Sequence, residues 1–361
     1  SIIFNSLLMN IIPTALDGVV TNSEGKALQG ATVIARHIPS GSEYGVASDR
    51  NGAFRIQGMR TGGPYTVEVS FIGYRTTKIE NLYLILGNTS ELTFTLSNDL
   101  TLEAVTVTSS AEERFNSAKT GAADNFTAED IASLPTVSRS IYDIAKLSPT
   151  ALAAKSGGMS FGGANSRYNT FLIDGVANND MYGLSSSGTN GGLSNANPIA
   201  LDAIEQLEVV VASYDVRMSG FGGGAINAIT KSGTNEFKGS AYTYYNDHNF
   251  YGTTAGRNVA ERKKLENQST QIYGATLGGA IIKNKLFFFL SGEFNHEASP
   301  SSYYLGYNGA LLDGAELQRI SDRYKVLTGY DGGGTGRRNV AQRAGSLLAT
   351  LDWHINSRNR L

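Results

Sequence analysis

Three stretches in the last third of the chain alternate between apolar residues and small or polar ones. They lie near residues 273–281, 286–295 and 345–354. In the third stretch the apolar set is Leu347, Ala349, Leu351 and Trp353, and the intervening set is Ser346, Leu348, Thr350, Asp352 and His354. Successive side chains of a strand point to opposite faces of its sheet, so one face of each stretch is mostly apolar. A period of two held over about ten residues is typical of a transmembrane β-barrel strand.

The connections between these strands alternate between long and short. A first strand predicted at 237–245 is followed by a long link, 246–269; the next links are 282–285, which is short, and 298–342, which is long. Barrels have long loops at one end and short turns at the other, with aromatic residues near the strand ends. A soluble antiparallel sheet is the alternative, but it requires no such asymmetry. The pattern therefore favours a barrel.

Four strands cannot close a barrel, since the smallest single-chain barrels have about eight strands. The sequence stops at Leu361, where a fifth strand would begin. We expect this chain to be the N-terminal part of a longer protein.

The composition excludes several classes of function. There is no cysteine, which rules out disulfides, thiolate metal sites and cysteine nucleophiles. The formal net charge is −2, and no run of Lys and Arg forms a phosphate-binding stripe, so we predict no nucleic-acid partner. Hydrophobic residues make up 41% and charged residues only 17%, which allows packed cores and favours short strands and turns.

Residues 15–97 are predicted to form a β-sandwich. Short runs with apolar alternation are separated by turns containing Gly, Asn and Asp every ~8–12 residues, which is the spacing of a sandwich. Val67, Val69 and Phe71 alternate with polar residues, giving one core face and one solvent face. Residues 1–14 are an uncertain terminus, because "SIIFNSLLMNII" is apolar like the core of a secretion signal but lacks a basic start, and a strand is the alternative.

The middle of the chain has a mixed character. Residues 98–120 read as a linker with a β-prone run at Val105–Thr108, and the alternative is that this run is the last sandwich strand. Residues 121–235 predict a small α+β domain whose first helix begins after Thr127, an N-cap residue. The fold class is therefore mainly β, with an N-terminal β-sandwich, an α+β domain, and the first strands of a transmembrane β-barrel at 236–361.

No enzymatic centre is predicted. The four histidines, His37, His248, His296 and His354, are scattered without the spacing of a metal site. The runs "GFGGG" and "SGTNGG" lack the lysine and the strand–helix context of a phosphate loop. Asp174 in "IDG" could act as an acid, but an aspartate before Gly175 is commoner as a turn residue. We expect no catalytic residue, no metal and no cofactor.

Two sets of motifs resemble known families. The segments "DGVVTNSEGKALQGATV", "SDRNGAFRIQGM" and "YTVEVSFIGYRT" resemble the carboxypeptidase regulatory-like domain, a non-catalytic sandwich. The linker "LEAVTVTS", with "MSFGGANSRYNTFLIDGV" and "LDAIEQLEVVVASYDVRMSGFGGGAINAITKSGTNEFKGSAYTYY", resembles TonB-dependent outer-membrane transporters of the Oar-like branch. The order of sandwich, linker, α+β domain and barrel is similar from about residue 15 to the end.

The resemblance implies that residues 121–235 are a plug inside the barrel and that the linker carries a TonB box. The strand that would bind TonB comprises Leu102, Glu103, Ala104, Val105, Thr106, Val107 and Thr108. The implied partners are TonB with ExbB and ExbD, outer-membrane lipid, and a surface lipoprotein. The chain would then lie in the outer membrane of a Gram-negative cell, with its N-terminal domain in the periplasm.

One position departs from the family pattern. Many plugs carry an Ile-Arg-Gly triplet before the "IDG" strand, where this chain has Ser160, Phe161 and Gly162. An arginine that helps to attach the plug to the barrel is therefore missing there, and Arg167 is a candidate substitute.

The function implied by the resemblance is TonB-dependent import of a peptide or a glycan. The plug residues expected to face this substrate are Asn178, Asn179, Asp180, Tyr182, Asn190 and Asn195. Such side chains suit hydrogen bonding and stacking, although the same composition is ordinary in exposed loops. The alternative is an outer-membrane adhesion or structural surface protein, which would need neither a plug nor a coupling strand.

Overall fold

The computed structural model describes residues 2–3, 14–86, 89–98, 106–108, 122–136, 139–153, 158–183, 185, 187–192, 196–211, 222–254, 260, 262–264, 267–301, 311–332 and 338–355. Strands hold 53% of these described residues and helices few of them, so the predicted fold class is confirmed. In these described ranges, no helix combines the length and the apolar character needed to cross a membrane.

The N-terminal region is a sandwich of two sheets. Its strands are β2 (Thr14–Asn22), β3 (Thr32–His37), β4 (Ser42–Ala47), β5 (Ala53–Met59), β6 (Gly62–Ser70), β7 (Thr77–Leu84), β8 (Thr89–Leu96) and β9 (Thr106–Thr108). One sheet has the order β5-β2-β8 and the other β4-β3-β6-β7-β9. Leu16, Phe54 and Phe94 of the first sheet pack against Val67 and Val69 of the second, as the alternation predicts.

The turns of the sandwich are fixed by side chains that replace backbone partners. In the turn between β4 and β5, the Asp49 carboxylate accepts hydrogen bonds from the backbone N–H of Asn51 (2.8 Å) and Ala53 (2.9 Å). Gly52 follows with φ +73°, and a Cβ there would lie 2.4 Å from the Val20 carbonyl oxygen. Only glycine fits a position that is both left-handed and this close to a neighbouring strand.

The α+β domain follows the linker. Its elements are β10 (Ala122–Thr127), α1 (Ala128–Ser133), α2 (Ile141–Ala145), β11 (Ala151–Ala153), β12 (Met159–Phe161), β13 (Thr170–Ile173), β14 (Val176–Ala177), β15 (Ile204–Val211) and β16 (Gly224–Thr230). The main sheet has the order β10-β15-β16-β13-β14. The predicted N-cap is confirmed: the Thr127 hydroxyl accepts from the Asp130 backbone N–H, and the Asp130 carboxylate accepts from the Thr127 backbone N–H.

The last region is a meander of long antiparallel strands. They are β17 (Lys238–Asp247), β18 (Ser269–Ile282), β19 (Leu286–Pro300) and β20 (Asn339–Trp353), and they pair in that order. We call this the barrel sheet. We call the end at residues 283–285 its turn end, and the opposite end its loop end. The strands have the predicted order but extend further toward the loop end than the alternation indicates.

The α+β domain lies against one face of the barrel sheet. Phe289 of β19 and Leu348 of β20 belong to the same buried cluster as Ile204, Leu207 and Ile226 of the domain. On β20 the odd-numbered residues from 347 to 353 are exposed, while the even-numbered ones are buried or half-buried. The predicted two-faced alternation is therefore confirmed, and its inner face is the one that contacts the domain.

Two features lie at the margins of the barrel sheet. Ile2 and Ile3 form a short strand, β1, that pairs in parallel with Leu347 and Leu348 of β20. The long link 298–342, treated above only as a connection, contains the helix α3 (Gly314–Thr328). Asp313 caps this helix by accepting from the Glu316 N–H at 2.8 Å, and Gly329 ends it with φ +70°.

Candidate functional site

The strand predicted to bind TonB is partly described. Thr106, Val107 and Thr108 form β9, whereas Leu102, Glu103, Ala104 and Val105 lie outside the described residues. β9 pairs in parallel with β7 at the edge of the larger sandwich sheet, with Val107 opposite Ile79. A run at a sheet edge holds its neighbour through backbone hydrogen bonds, which is also how an added strand is bound. Both interpretations made from the sequence, a coupling strand and a last sandwich strand, fit this geometry.

The second predicted site is the loop that follows β14. Asn178, Asn179, Asp180, Tyr182 and Asn190 are described, and Asn195 is not. Asn179 fixes the start of the loop, because its amide donates to Thr170 Oγ1 (2.6 Å) and its Oδ1 accepts from the Phe171 N–H (2.8 Å). The Asn190 amide donates to Asn178 Oδ1 at 2.6 Å. These asparagines therefore shape the loop itself.

Asp180 organises the tip of the same loop. Its two carboxylate oxygens accept from the backbone N–H groups of Tyr182 (3.0 Å) and Ser185 (2.6 Å). The side chains of Met181 and Tyr182 are left projecting outward, 91% and 85% exposed. Tyr142 of α2 supports the loop from below by donating its hydroxyl to the Ser187 carbonyl oxygen at 2.9 Å. Tyr182 is thus the predicted residue best placed to contact a ligand.

Arg139 joins the α+β domain to the barrel sheet. It lies just before α2, and its guanidinium packs over the rings of Tyr244 (4.3 Å to the centroid) and Tyr242 (4.9 Å) on β17. Nη1 donates to the Tyr244 hydroxyl at 2.9 Å, and Nη2 forms an ion pair with Asp202. Cation–π contacts of a desolvated arginine are worth up to about 2 kcal/mol each.

The network continues into the barrel sheet and the loop. The Tyr242 hydroxyl donates to Glu293 Oε2 of β19 at 2.8 Å. The Asn197 amide donates to the Arg139 carbonyl oxygen at 3.0 Å, which connects the end of the loop after β14 to Arg139. Arg139 therefore contacts both the loop and the barrel sheet. Its backbone has a left-handed φ of +49°.

Arg139 is not the arginine that the sequence pattern predicts for this contact, which is Arg167. Arg167 lies in the short 3-10 turn Ser166–Tyr168, where its backbone N–H donates to Asn165 Oδ1. At the departure from the family pattern, the Ser160 hydroxyl donates to the Ala164 carbonyl oxygen at 2.7 Å, a local contact. The spacing of two between Tyr242 and Tyr244 places both side chains on one face of a strand. The arginine that contacts them is about a hundred residues away in the sequence.

Asp174 acts as a turn residue, as the sequence analysis favours. Its φ is +49°, and Gly175 follows with φ +78°. The carboxylate accepts from the Thr230 N–H and the Thr230 hydroxyl, both at 2.8 Å, which joins the β13 turn to the end of β16. Burial raises the pKa of this carboxyl group. Among the described residues, no cluster of three His, Cys, Asp or Glu side chains could hold a metal ion.

Two segments of the chain match known domain families, and a third comparison finds a similar transporter. Residues 15–97 match the Carboxypeptidase regulatory-like domain, and residues 229–310 match the Outer membrane beta barrel domain. The chain is 32% identical over 157 residues to the TonB-dependent transporter Oar of Myxococcus xanthus. The aligned part is 42% of this chain and 14% of that protein, so the chain spans a small part of this relative.

Solved structures of outer-membrane proteins are also similar in part. The outer membrane transporter YddB from Escherichia coli aligns over 65% of this chain and 31% of its own, with a TM-score of 0.46 and 14% identity. The siderophore receptor PirA from Acinetobacter baumannii aligns over 65% of this chain and 29% of its own, with a TM-score of 0.39 and 22% identity.

Proposed function

We propose that this chain, a homologue of the TonB-dependent transporter Oar, belongs to an outer-membrane transporter that imports a peptide or a glycan with energy delivered by TonB. The observation that supports this most is the seating of the α+β domain on the inner face of the barrel sheet, with Phe289 and Leu348 inside the domain's own core. A plug occupies that place in a transporter. An adhesin has no need of one.

The direction of the barrel follows from its connections. Short turns of outer-membrane barrels face the periplasm and long loops face outward. The turn end would therefore be periplasmic, and the sandwich contacts that end, since the Asn235 N–H on the way into β17 donates to the Pro39 carbonyl oxygen at 2.9 Å. This supports a periplasmic N-terminal domain in the outer membrane of a Gram-negative cell.

Energy must come from another membrane, because the outer membrane has no ATP supply and holds no useful ion gradient. An extended strand that pairs through its backbone can transmit a pull, since its attachment depends little on side chains. Thr106–Thr108 already pairs in this way with β7. TonB, acting with ExbB and ExbD, is the partner proposed for this strand and for the residues 102–105 before it.

Proline substitution tests the coupling strand. Proline removes a backbone N–H and is poorly tolerated in a paired strand, so Val107→Pro should lower binding of the purified TonB C-terminal domain to the full-length protein at least tenfold. Val107→Ala should bind within about twofold of wild type, since the backbone donor remains. Asn98→Pro, in the same linker but outside the run, is the matched control.

The two interpretations of β9 give different results in this assay. If β9 serves only the sandwich, Val107→Pro will make the sandwich sensitive to protease while TonB binding stays at the wild-type level. Unchanged TonB binding rejects the coupling role and favours the adhesin alternative, which cell-attachment assays on a deletion strain would then examine.

The plug loop offers a second test, of orientation and ligand contact. In a background without other cysteines, Ser187→Cys should react with a membrane-impermeant thiol reagent added outside intact cells. Tyr182→Ala should weaken retention of peptide or glycan pools by the purified full-length protein, and Tyr182→Phe should weaken it less, because the contact through the ring is kept while the hydroxyl is lost. Labelling only from the periplasmic side would reverse the proposed orientation.

A further inference from the structure

The sandwich touches the turn end of the barrel sheet through an ion pair. Arg60, just after β5, approaches Asp352 near the end of β20, with Nη2 and Oδ2 2.8 Å apart. Both side chains are largely buried, 16% and 14% exposed. The guanidinium also lies over the ring of Phe287 at the start of β19, 5.9 Å from its centroid. Removing one partner of an ion pair buried this far leaves the other charge uncompensated and is strongly destabilising, whereas an exposed pair contributes little.

A chain of hydrogen bonds runs beside the ion pair. His37 Nδ1 and Ser40 Oγ are 2.7 Å apart, and the Ser40 and Ser42 hydroxyl oxygens are also 2.7 Å apart. Ser42 Oγ then reaches His354 Nδ1 of the barrel sheet at 3.2 Å. Ser40 and Ser42 are buried, 0% and 4% exposed. Their hydroxyl groups therefore bond to neighbouring side chains, including His354 of the barrel sheet, and not to solvent.

A separate contact joins the sandwich to the α+β domain. Gln206 of β15 donates its amide to the Leu84 carbonyl oxygen at 3.0 Å, and its Oε1 accepts from the Leu86 N–H at 2.9 Å. The side chain of Gln206 thus pairs with the end of β7 as a neighbouring strand would. Leu86 is fully buried and packs against Ile229 of β16.

We propose that the sandwich is a docked clasp that holds the α+β domain to the barrel sheet at the turn end. Its contacts reach both bodies, the domain through Gln206 and the barrel sheet through Asp352 and His354. While the sandwich is docked, the α+β domain cannot move away from the barrel sheet without breaking contacts on one side of the clasp. This inference is independent of what the transporter carries and of TonB.

The contacts of the clasp are of a kind that allows the sandwich to separate from the α+β domain and the barrel sheet. Between the described residues, the contacts that cross it are mainly polar, and Leu86 with Ile229 is a small apolar patch. Polar contacts exchange with water at little net cost when two surfaces part, whereas an extensive apolar interface does not. Docking of this kind is suited to domains that separate and return.

Disulfide trapping tests the docking in the full-length protein. Ser42→Cys combined with His354→Cys should form a cross-link in most molecules under mild oxidation of isolated outer membranes. Each single variant should form none. Failure of the pair to cross-link would overturn the docked arrangement.

A charge swap tests which contacts hold the clasp. In the cysteine-pair background, Arg60→Asp should lower the cross-linked fraction at least fivefold, because it faces Asp352 with a like charge. Arg60→Asp together with Asp352→Arg should restore at least half of the fraction. Arg55→Asp is the matched control, since Arg55 pairs with Asp17 inside the sandwich and should leave cross-linking unchanged. Equal cross-linking in Arg60→Asp and wild type would contradict the role of the ion pair.

Hydrogen exchange then tests the clasp itself. In the purified full-length protein, the amides of Ile204–Val211 should exchange at least tenfold faster in Arg60→Asp than in wild type, and the charge swap should restore their protection. Amides of β18, on the far side of the barrel sheet, should not change. If the Ile204–Val211 amides exchange equally in all variants, the sandwich docks without restraining the α+β domain, and the clasp is rejected.

Discussion

The larger sandwich sheet and the barrel sheet use the same alternation of side chains in opposite ways. In β6, Val67 and Val69 are fully buried and their polar neighbours are turned to solvent. In β20, Leu347 and Leu351 are 53% and 66% exposed, and their neighbours face the α+β domain. A period of two therefore identifies a two-faced strand in both cases, but not which face is buried.

The chemistry of the second face distinguishes the two sheets. In the sandwich the apolar face meets another apolar face, and water covers the other side. In the barrel sheet the buried inner face carries the polar Ser291 and Glu293, 3% and 8% exposed, beside Phe287 and Phe289, and the exposed outer face is apolar. A continuous apolar outer face of this extent indicates an apolar medium around it.

The largest expected effect is a charge in the sandwich core. Val67→Arg should cost more than about 4 kcal/mol, because an unpaired charge would enter a packed interior and overfill it. Ser70→Arg, on the solvent face of the same strand, should stay within about 0.5 kcal/mol of wild type. Pulse proteolysis of the full-length protein in a urea series measures both. Similar urea midpoints for the two variants would mean that β6 is not two-faced.

A charge on the outer face of the barrel sheet should have the next largest effect. Ala349→Arg should cost about 2–4 kcal/mol if that face meets the middle of a lipid bilayer, and Thr350→Arg, on the inner face, should cost much less. Folding of the full-length protein into bilayers over a urea series gives both values. Equal costs for the two variants would mean that the outer face of the barrel sheet does not meet an apolar medium. The two sheets would then not differ in this respect.

How far the sequence predicts this fold depends on how local each signal is. The alternation in β18 to β20 and the cap at Thr127 depend on neighbouring residues, and both were found. Asp313 and Gly329 carry equally local helix signals, but α3 was missed because the link was judged only by its length. The contacts of Arg139 and Gln206 join residues about a hundred positions apart or more, and their pairing is set by tertiary packing.

The residues of the loop after β14 show a different limit of prediction from sequence. Their composition correctly marks a polar loop, but it does not separate side chains that bind a ligand from those that build the loop. Asn179 and Asp180 bond to neighbouring backbone groups, which leaves Tyr182 as a predicted residue whose side chain projects outward. Such self-contacts of Asn and Asp arise from turn geometry, which varies with loop length and neighbours.

Two carboxylates, one on each sheet, differ in burial and should differ in their contribution to stability. Glu293 is buried on the inner face of the barrel sheet and accepts from Tyr242, whereas Glu68 forms an exposed ion pair with Lys78 on the sandwich surface. Glu293→Ala should cost about 1–3 kcal/mol, since it leaves the partly buried Tyr242 hydroxyl without its partner. Glu68→Ala should cost less than about 0.5 kcal/mol. Urea unfolding of each variant measures the two costs. A larger loss of stability from Glu68→Ala than from Glu293→Ala would contradict the assignment of faces.

The smallest expected effect is a pH response centred on His37, beside the contact between the sandwich and the barrel sheet. Burial, and then the charges of Arg60 and His354, lower the pKa of His37 from 6.5 to about 3. The unfolded chain therefore binds a proton that the folded sandwich does not, so stability is complete above pH 6.5 and is lost as the pH falls toward 3. Between pH 6.5 and 5.5 the loss should be about 1 kcal/mol. Comparing wild type with His37→Gln by pulse proteolysis at both pH values isolates this contribution, because only the wild-type chain carries an imidazole at position 37. An equal pH dependence in both would show that His37 takes up its proton in the folded sandwich as readily as in the unfolded chain.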